Sequence, residues 1–307
     1  MKIIQKGIMK KMKKIKNIKN IKNIKNIKNI LGLVLGIFII SCFAFCKDVS
    51  AAVNARLSTG KTYTNYDITG DRRNDKIKIL LRGRYYSSYS YYTIQVNGRT
   101  VYTAPKNLGL DGIRANYIKL DNGKAFLCVE EYSGGVFPSG GKILRYSRGK
   151  MVSTLNFKDT TLGQMYFKSV SRNTIKCGYG TGHSATTGDS YVIYSYKYVN
   201  GKFIRTGNIA GIKIRKQSND YRYSNYSSST RLTVNKNIIV YKDTGAKRKY
   251  FTLKKGNHIV LDKVYFNGSY TRYRIRYGNK IGWIKPNTAK FVSENRNQLF
   301  NGLLFCG

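Results

Sequence analysis

From Ala55 to about Gly211 apolar and polar residues alternate over short runs, and the helical period of 3.6 is nearly absent. The runs fall into three units, each read as four short strands. The first extends from Asp67 to Ala104 and contains Lys76–Leu81, Tyr92–Val96 and Thr100–Tyr102. The second extends from Tyr117 to Phe157 and contains Lys124–Val129 and Lys142–Tyr146; the third runs from Tyr166 to Thr206 around Tyr191–Tyr196. Asn97-Gly98 and Asn200-Gly201 sit between such runs, and an Asn-Gly pair supplies the two positive φ angles of a two-residue hairpin. The fold class expected is all-β, with residues 53–216 forming four-stranded meander repeats.

A second β-rich run follows. Arg231–Val234 and Ile238–Tyr241 lead to the turn Lys254-Lys255-Gly256, after which Ile259–Leu261 resumes the apolar pattern. A loop at Asn267-Gly268-Ser269 precedes the strict alternation Tyr273-Arg274-Ile275-Arg276-Tyr277, which gives one buried and one wet face. The turn Gly278-Asn279 then leads to Lys280-Ile281-Gly282-Trp283-Ile284, which holds the chain's one tryptophan. Residues 231–292 therefore predict a small five-stranded barrel. Residues 217–230, rich in serine and tyrosine, have the composition of a linker, and residues 293–307 form a C-terminal tail.

The closing Gly282-Trp283-Ile284, the Lys-Lys-Gly turn and the opening Leu232-Thr233-Val234 resemble a bacterial SH3 domain. The likeness covers about a fifth of the chain. It departs at Asn235-Lys236-Asn237-Ile238, where that family carries an arginine- and proline-containing stretch, and this leaves ligand choice open. The resemblance implies a binding module in which Trp283, Tyr273 and Tyr277 grip wall peptide or glycan while Lys254 and Lys255 reach toward anionic polymer. A core plug is the competing role for Trp283. The four-strand units have the length of propeller blades; three alone do not close an ordinary ring, so a propeller-like arrangement and a sandwich both stand.

Residues 1–52 have a basic-then-apolar layout. An Ile-Lys-Asn repeat runs from Ile15 to Ile30, and the apolar stretch Leu31–Ile40 continues to about Phe45, shorter than the roughly 20 residues of a membrane span. This reads as a signal peptide, with cleavage after Ala52 or Ala55. Ile39-Ile40-Ser41-Cys42 also resembles a lipobox, so membrane attachment is expected only if Cys42 is lipidated. The chain carries a net charge of +42. Without residues 1–52 it keeps 44 basic and 13 acidic residues, so the basic character belongs to the whole protein. Such a field attracts polyanions in a salt-sensitive way. For an exported, extracellular or wall-associated protein of Gram-positive type, the expected partners are peptidoglycan or teichoic acid, not nucleic acid.

Asp67-Ile68-Thr69-Gly70-Asp71-Arg72-Arg73-Asn74-Asp75 places oxygen-bearing side chains where they could wrap Ca2+. It resembles the calcium loop of FG-GAP or VCBS-type repeats, which implies Asp67, Thr69, Asp71 and Asp75 as side-chain ligands and the Arg73 carbonyl as a further one. The alternative is a turn that caps a hairpin. All 26 tyrosines lie beyond the leader, interleaved with Lys and Arg in a way that suits sugar stacking, polyanion contact or plain strand formation. Cys128 and Cys177 are expected as buried thiols, with pairing as the alternative, and Cys306 as a candidate for a disulfide dimer. No catalytic constellation emerges. His183 lies six residues beyond Cys177 without a recognisable setting, and the adjacent Glu130 and Glu131 point to opposite faces of one strand. The protein is read as non-catalytic.

Overall fold

A computed structural model of the chain describes residues 51–135, 137–215, 226–228, 230 to 287 and 298–304, with residues 181–183 described by their backbone alone. The leader with Cys42, the stretch 217–225, and Cys306 lie outside the described residues. The described residues are all-β, and they contain no helix.

The first meander is the sheet β2 (Thr62–Tyr66), β3 (Asp75–Tyr85), β4 (Ser88–Val96) and β5 (Arg99–Thr103), in sequence order. The second is β6 (Gly112–Lys119), β7 (Ala125–Tyr132), β8 (Gly140–Ser147) and β9 (Lys150–Phe157), with β1 (Val53–Leu57) added antiparallel to the edge of β6. The third is β10 (Gln164–Ser171), β11 (Thr174–Ser184) and β12 (Gly188–Val199), completed by β13 (Lys202–Arg205) and β14 (Ile209–Arg215), both paired with β12. Asn97-Gly98 and Asn200-Gly201 turn the hairpins they were expected to turn, with φ of 52° and 81° in the first pair and 48° and 84° in the second.

The middle sheet is covered on both faces. Along β7 the residues divide by parity: Ala125, Leu127 and Val129 enter one core with Ile77, Ile79, Tyr92 and Ile94 of the first meander, while Phe126 and Cys128 enter a second core with the third. That is why Ala125–Glu131 is buried at every position and why Ala125–Val129 reads in sequence as a continuous apolar run. Phe126, fully buried, meets Tyr198 and Phe203 at ring-centroid distances of 5.0 Å each and so ties the second meander to the third.

The long sheet does not stop at the third meander. β14 pairs with β12 through Ile212–Ile214 and with β19 (His258–Phe266) through Ile209–Gly211. β15 (Tyr226–Ser227), within the expected linker, adds to β14. The C-terminal strands β16 (Arg231–Val234), β17 (Ile238–Tyr241), β18 (Lys249–Leu253), β20 (Thr271–Tyr277) and β21 (Lys280–Ile284) join in the order β16-β19-β20-β21-β17-β18. Among the described residues this path does not close into a barrel: β18 is left at one end, and the free side of β16 takes β22 (Phe300–Asn301). Leu232, Val240, Leu261 and Ile275 continue the same core that holds Phe126 and Cys128, so sheet and core both cross the expected boundary at 216–231. The segment 298–304 is part of this core: Leu299, Phe300 and Leu303 are buried, and the Leu304 carbonyl accepts the Asp189 N–H at 2.6 Å.

Candidate functional site

The C-terminal strands sort the expected binding residues by parity. On β20, Tyr273, Ile275 and Tyr277 face inward, and Arg272, Arg274 and Arg276 face outward. The two-residue turn Gly278-Asn279 sets Tyr277 opposite Lys280, so Arg274 stands opposite Trp283. Trp283 is accordingly on the outer face and half-buried, while Gly282 and Ile284 beside it point in. A Cβ on Gly282 would lie 2.3 Å from Val240 Cγ1, so the glycine of the Gly-Trp motif lets β17 approach.

This corrects the expected groove of Trp283, Tyr273 and Tyr277. Tyr273 is core, 3 % exposed, and burial pushes its phenol up, beside the hydroxyls of Ser184 and Thr187. Tyr277 stacks on Phe251 at 6.2 Å on the inner side. Trp283 meets Tyr265 edge-on at 6.4 Å, and Tyr265 meets Tyr270 at 5.7 Å. Arg272 lies over the Tyr270 ring at 4.4 Å. Asp262 holds Arg274 through two bonds of 2.9 and 2.7 Å and Arg276 at 3.2 Å, which fixes a row of guanidinium groups beside the aromatic row. Lys254 and Lys255 are exposed at the β18–β19 turn, their backbone N–H groups held by Asn257 and Asn237.

The Asp67–Asp75 loop spends its oxygens on itself. Asp67 accepts the N–H of Gly70 at 2.6 Å and of Arg72 at 2.9 Å, and its carbonyl accepts the Tyr117 hydroxyl. Thr69 Oγ1 reaches back to Asp67, and Asp71 accepts the Arg73 N–H. Asp75, 2 % exposed, accepts the N–H of Ile68 and Thr69 with one oxygen and Asn97 Nδ2 with the other. This is the capping geometry of a tight connection between β2 and β3. Among the described residues no group of three or more His, Cys, Asp or Glu could hold a metal ion.

Cys128 and Cys177 are free, fully buried thiols in the shared core, and burial pushes both up. Glu130 and Glu131 do point to opposite faces: Tyr92 Oη donates to Glu131 at 3.0 Å on one side, and the Phe167 N–H donates to Glu130 at 2.7 Å on the other. Glu130 Oε2 accepts no hydrogen bond and has Arg114 Nη1 at 3.8 Å. Burial raises the Glu130 pKa, and the Phe167 N–H and the Arg114 and Arg56 charges pull it partly back.

Above this carboxylate a cleft of about 380 Å3 opens where the end of the second meander meets the edge strand β10. Sequence reading did not find it. Its floor depends on Gly178 and Gly180 in β11: a Cβ on the first would lie 2.1 Å from the Tyr166 ring, and on the second 2.4 Å from the Phe137 ring. Those two rings stack at 5.7 Å, and burial pushes the Tyr166 phenol up to about 12, leaving it a hydrogen-bond donor. Arg114 sits over Tyr132 at 5.2 Å, Lys168 is exposed at the rim, and Lys213 lies over Tyr191 at 5.7 Å. The alternation Gly178-Tyr179-Gly180, a strand that omits side chains on one face, is the sequence signal that marks it. Compared with protein-family models, curated proteins and solved structures, the chain has no match.

Proposed function

We propose that this is an exported, non-catalytic protein that binds the bacterial envelope, recognising peptidoglycan or anionic wall polymer through the outer face of its C-terminal strands. The observation that carries this reading is the side-by-side arrangement of Trp283, Tyr265 and Tyr270 with Arg272, Arg274 and Arg276 on a face the core does not use. Flat aromatic surface next to fixed guanidinium groups suits a ligand that is part sugar or peptide and part anion. The SH3-like order of motifs and the basic excess of residues 231–292, 15 Lys or Arg against two acids, support it. In this reading the expected groove moves to the opposite face of β20 and β21.

Sedimentation with purified Gram-positive peptidoglycan, with and without teichoic acid and across a salt series, tests it. Binding that survives salt and teichoic acid removal, and is lost in Trp283→Ala, marks wall recognition. Binding that disappears with salt in wild type and variant alike reduces the interaction to charge attraction. A second reading is an extracellular protein- or carbohydrate-interaction protein acting through the repeat region, and the aromatic cleft favours its carbohydrate form.

A further inference from the structure

The cleft between the second meander and β10 uses none of the residues of the C-terminal face, so it stands or falls separately from the reading above. Its size is that of a small-ligand site. Its apolar surface comes from tyrosines and Phe137, rings whose flat faces suit the C–H faces of a sugar while the phenol hydroxyls serve its oxygens. Two structural choices keep this surface open. Gly178 and Gly180 let Tyr166 and Phe137 lie against the backbone of β11. Tyr191 and Tyr226 meet edge-on at 4.8 Å, with the Tyr226 hydroxyl donating to Asp189 at 2.8 Å.

The two charged residues that line the cleft are both cationic, and the acids nearest them, Asp189 and Glu130, are buried. Arg114 and Lys168 line it, Lys213 lies beside Tyr191, and Arg215 pairs with Asp189. The acid below the rim, Glu130, has no solvent exposure and offers one oxygen to Arg114 at 3.8 Å without a hydrogen bond, so Arg114 is held in place but not saturated. Cations already lie over the Tyr132 and Tyr191 rings, which disfavours a cationic guest. A neutral sugar would bring no charge to the exposed Lys168 or to Arg114, whose contact with Glu130 is long at 3.8 Å.

We infer that this cleft binds an anionic saccharide unit, its ring against the tyrosine and phenylalanine faces and its carboxylate or phosphate between Arg114 and Lys168. Calorimetric titration of the full chain with tetragalacturonate, with the neutral galactotetraose, with glucose 1-phosphate and with inorganic phosphate tests it. The expected result is binding of at least one anionic sugar, about tenfold tighter than the neutral sugar and than inorganic phosphate, as loss of one charge-assisted contact implies. Which anionic sugar binds decides between uronate and sugar phosphate as the source. Lys168→Gln, at an exposed position, and Tyr191→Leu should each weaken that binding about tenfold, with Trp283→Ala unchanged and all variants folded by circular dichroism. The inference is overturned if no anionic sugar binds, if neutral and anionic sugars bind alike, or if Trp283→Ala rather than the cleft variants removes binding.

Discussion

β7 and β20 are both antiparallel strands in the interior of a sheet, and they treat their polar residues in opposite ways. β20 alternates, so Arg272, Arg274 and Arg276 reach the outer face without entering the core. β7 has a meander on each side, so Glu130 and Glu131 have nowhere to go but into the two cores. Glu131 is satisfied there by Tyr92, whereas Glu130 keeps one oxygen without a hydrogen bond. A buried carboxylate left half-satisfied is costly. The comparison teaches that a polar side chain on a one-faced strand reports on the surface, and on a two-faced strand it reports on what the stack had to accommodate.

The sharpest way to test that difference is to cut at the double-faced layer. Phe126→Ala removes the ring that touches Tyr198 and Phe203, and it should cost about 3–5 kcal/mol in denaturant unfolding. Gly178→Val should come next: the new side chain collides with the Tyr166 ring, an overpacking cost of about 1–3 kcal/mol, and the cleft should lose its ligand as well. Trp283→Ala on the outer face should cost only about 1 kcal/mol or less in the same unfolding experiment while the proposed wall binding falls. A melting loss as large as that of Phe126→Ala would put Trp283 back in the core.

Glu130→Gln is the subtlest probe, and its sign runs the other way. Because the folded state holds this carboxyl's pKa above the unfolded value, its contribution is fully present below the ordinary carboxylate range and is lost as pH rises through the folded pKa. The glutamine variant should therefore match wild type in acid and equal or exceed it in thermal stability near neutral pH. A variant that is less stable than wild type at neutral pH would show that the Arg114 contact outweighs the burial cost.

Much of this architecture was legible. The Asn-Gly hairpins and the strict alternation at Tyr273–Tyr277 fixed strands and turns because each is a local rule of backbone geometry. The face taken by Trp283 was also within reach, since counting back from Gly278-Asn279 pairs it with an arginine rather than with Tyr273. Aromatic type alone does not place these rings: parity turns Tyr273 and Tyr277 inward and Trp283 outward. Other features had no local signal. Glu130 and Glu131 were separable by parity, but that both faces of β7 are covered depends on two neighbouring meanders. The cleft draws residues from β6, β7, the β7–β8 loop, β10, β12 and β15, elements scattered from Arg114 to Tyr226. Leu299, Phe300 and Leu303 form no periodic run, and their burial rests on pairing with β16 and on the contact with Asp189.

That last contact orders events in time. Phe300 is a fully buried member of a core whose other members begin at Ile118, and the Leu304 carbonyl accepts a hydrogen bond at the start of β12. A chain made or threaded from its N-terminus delivers these residues after every other part of that core, so the first meander can settle early while the larger half waits. Until residues 298–304 arrive, the apolar surface they cover stays open to chaperones, proteases and other copies. Residues 298–304 therefore act as a late closure of the larger core rather than as a tail.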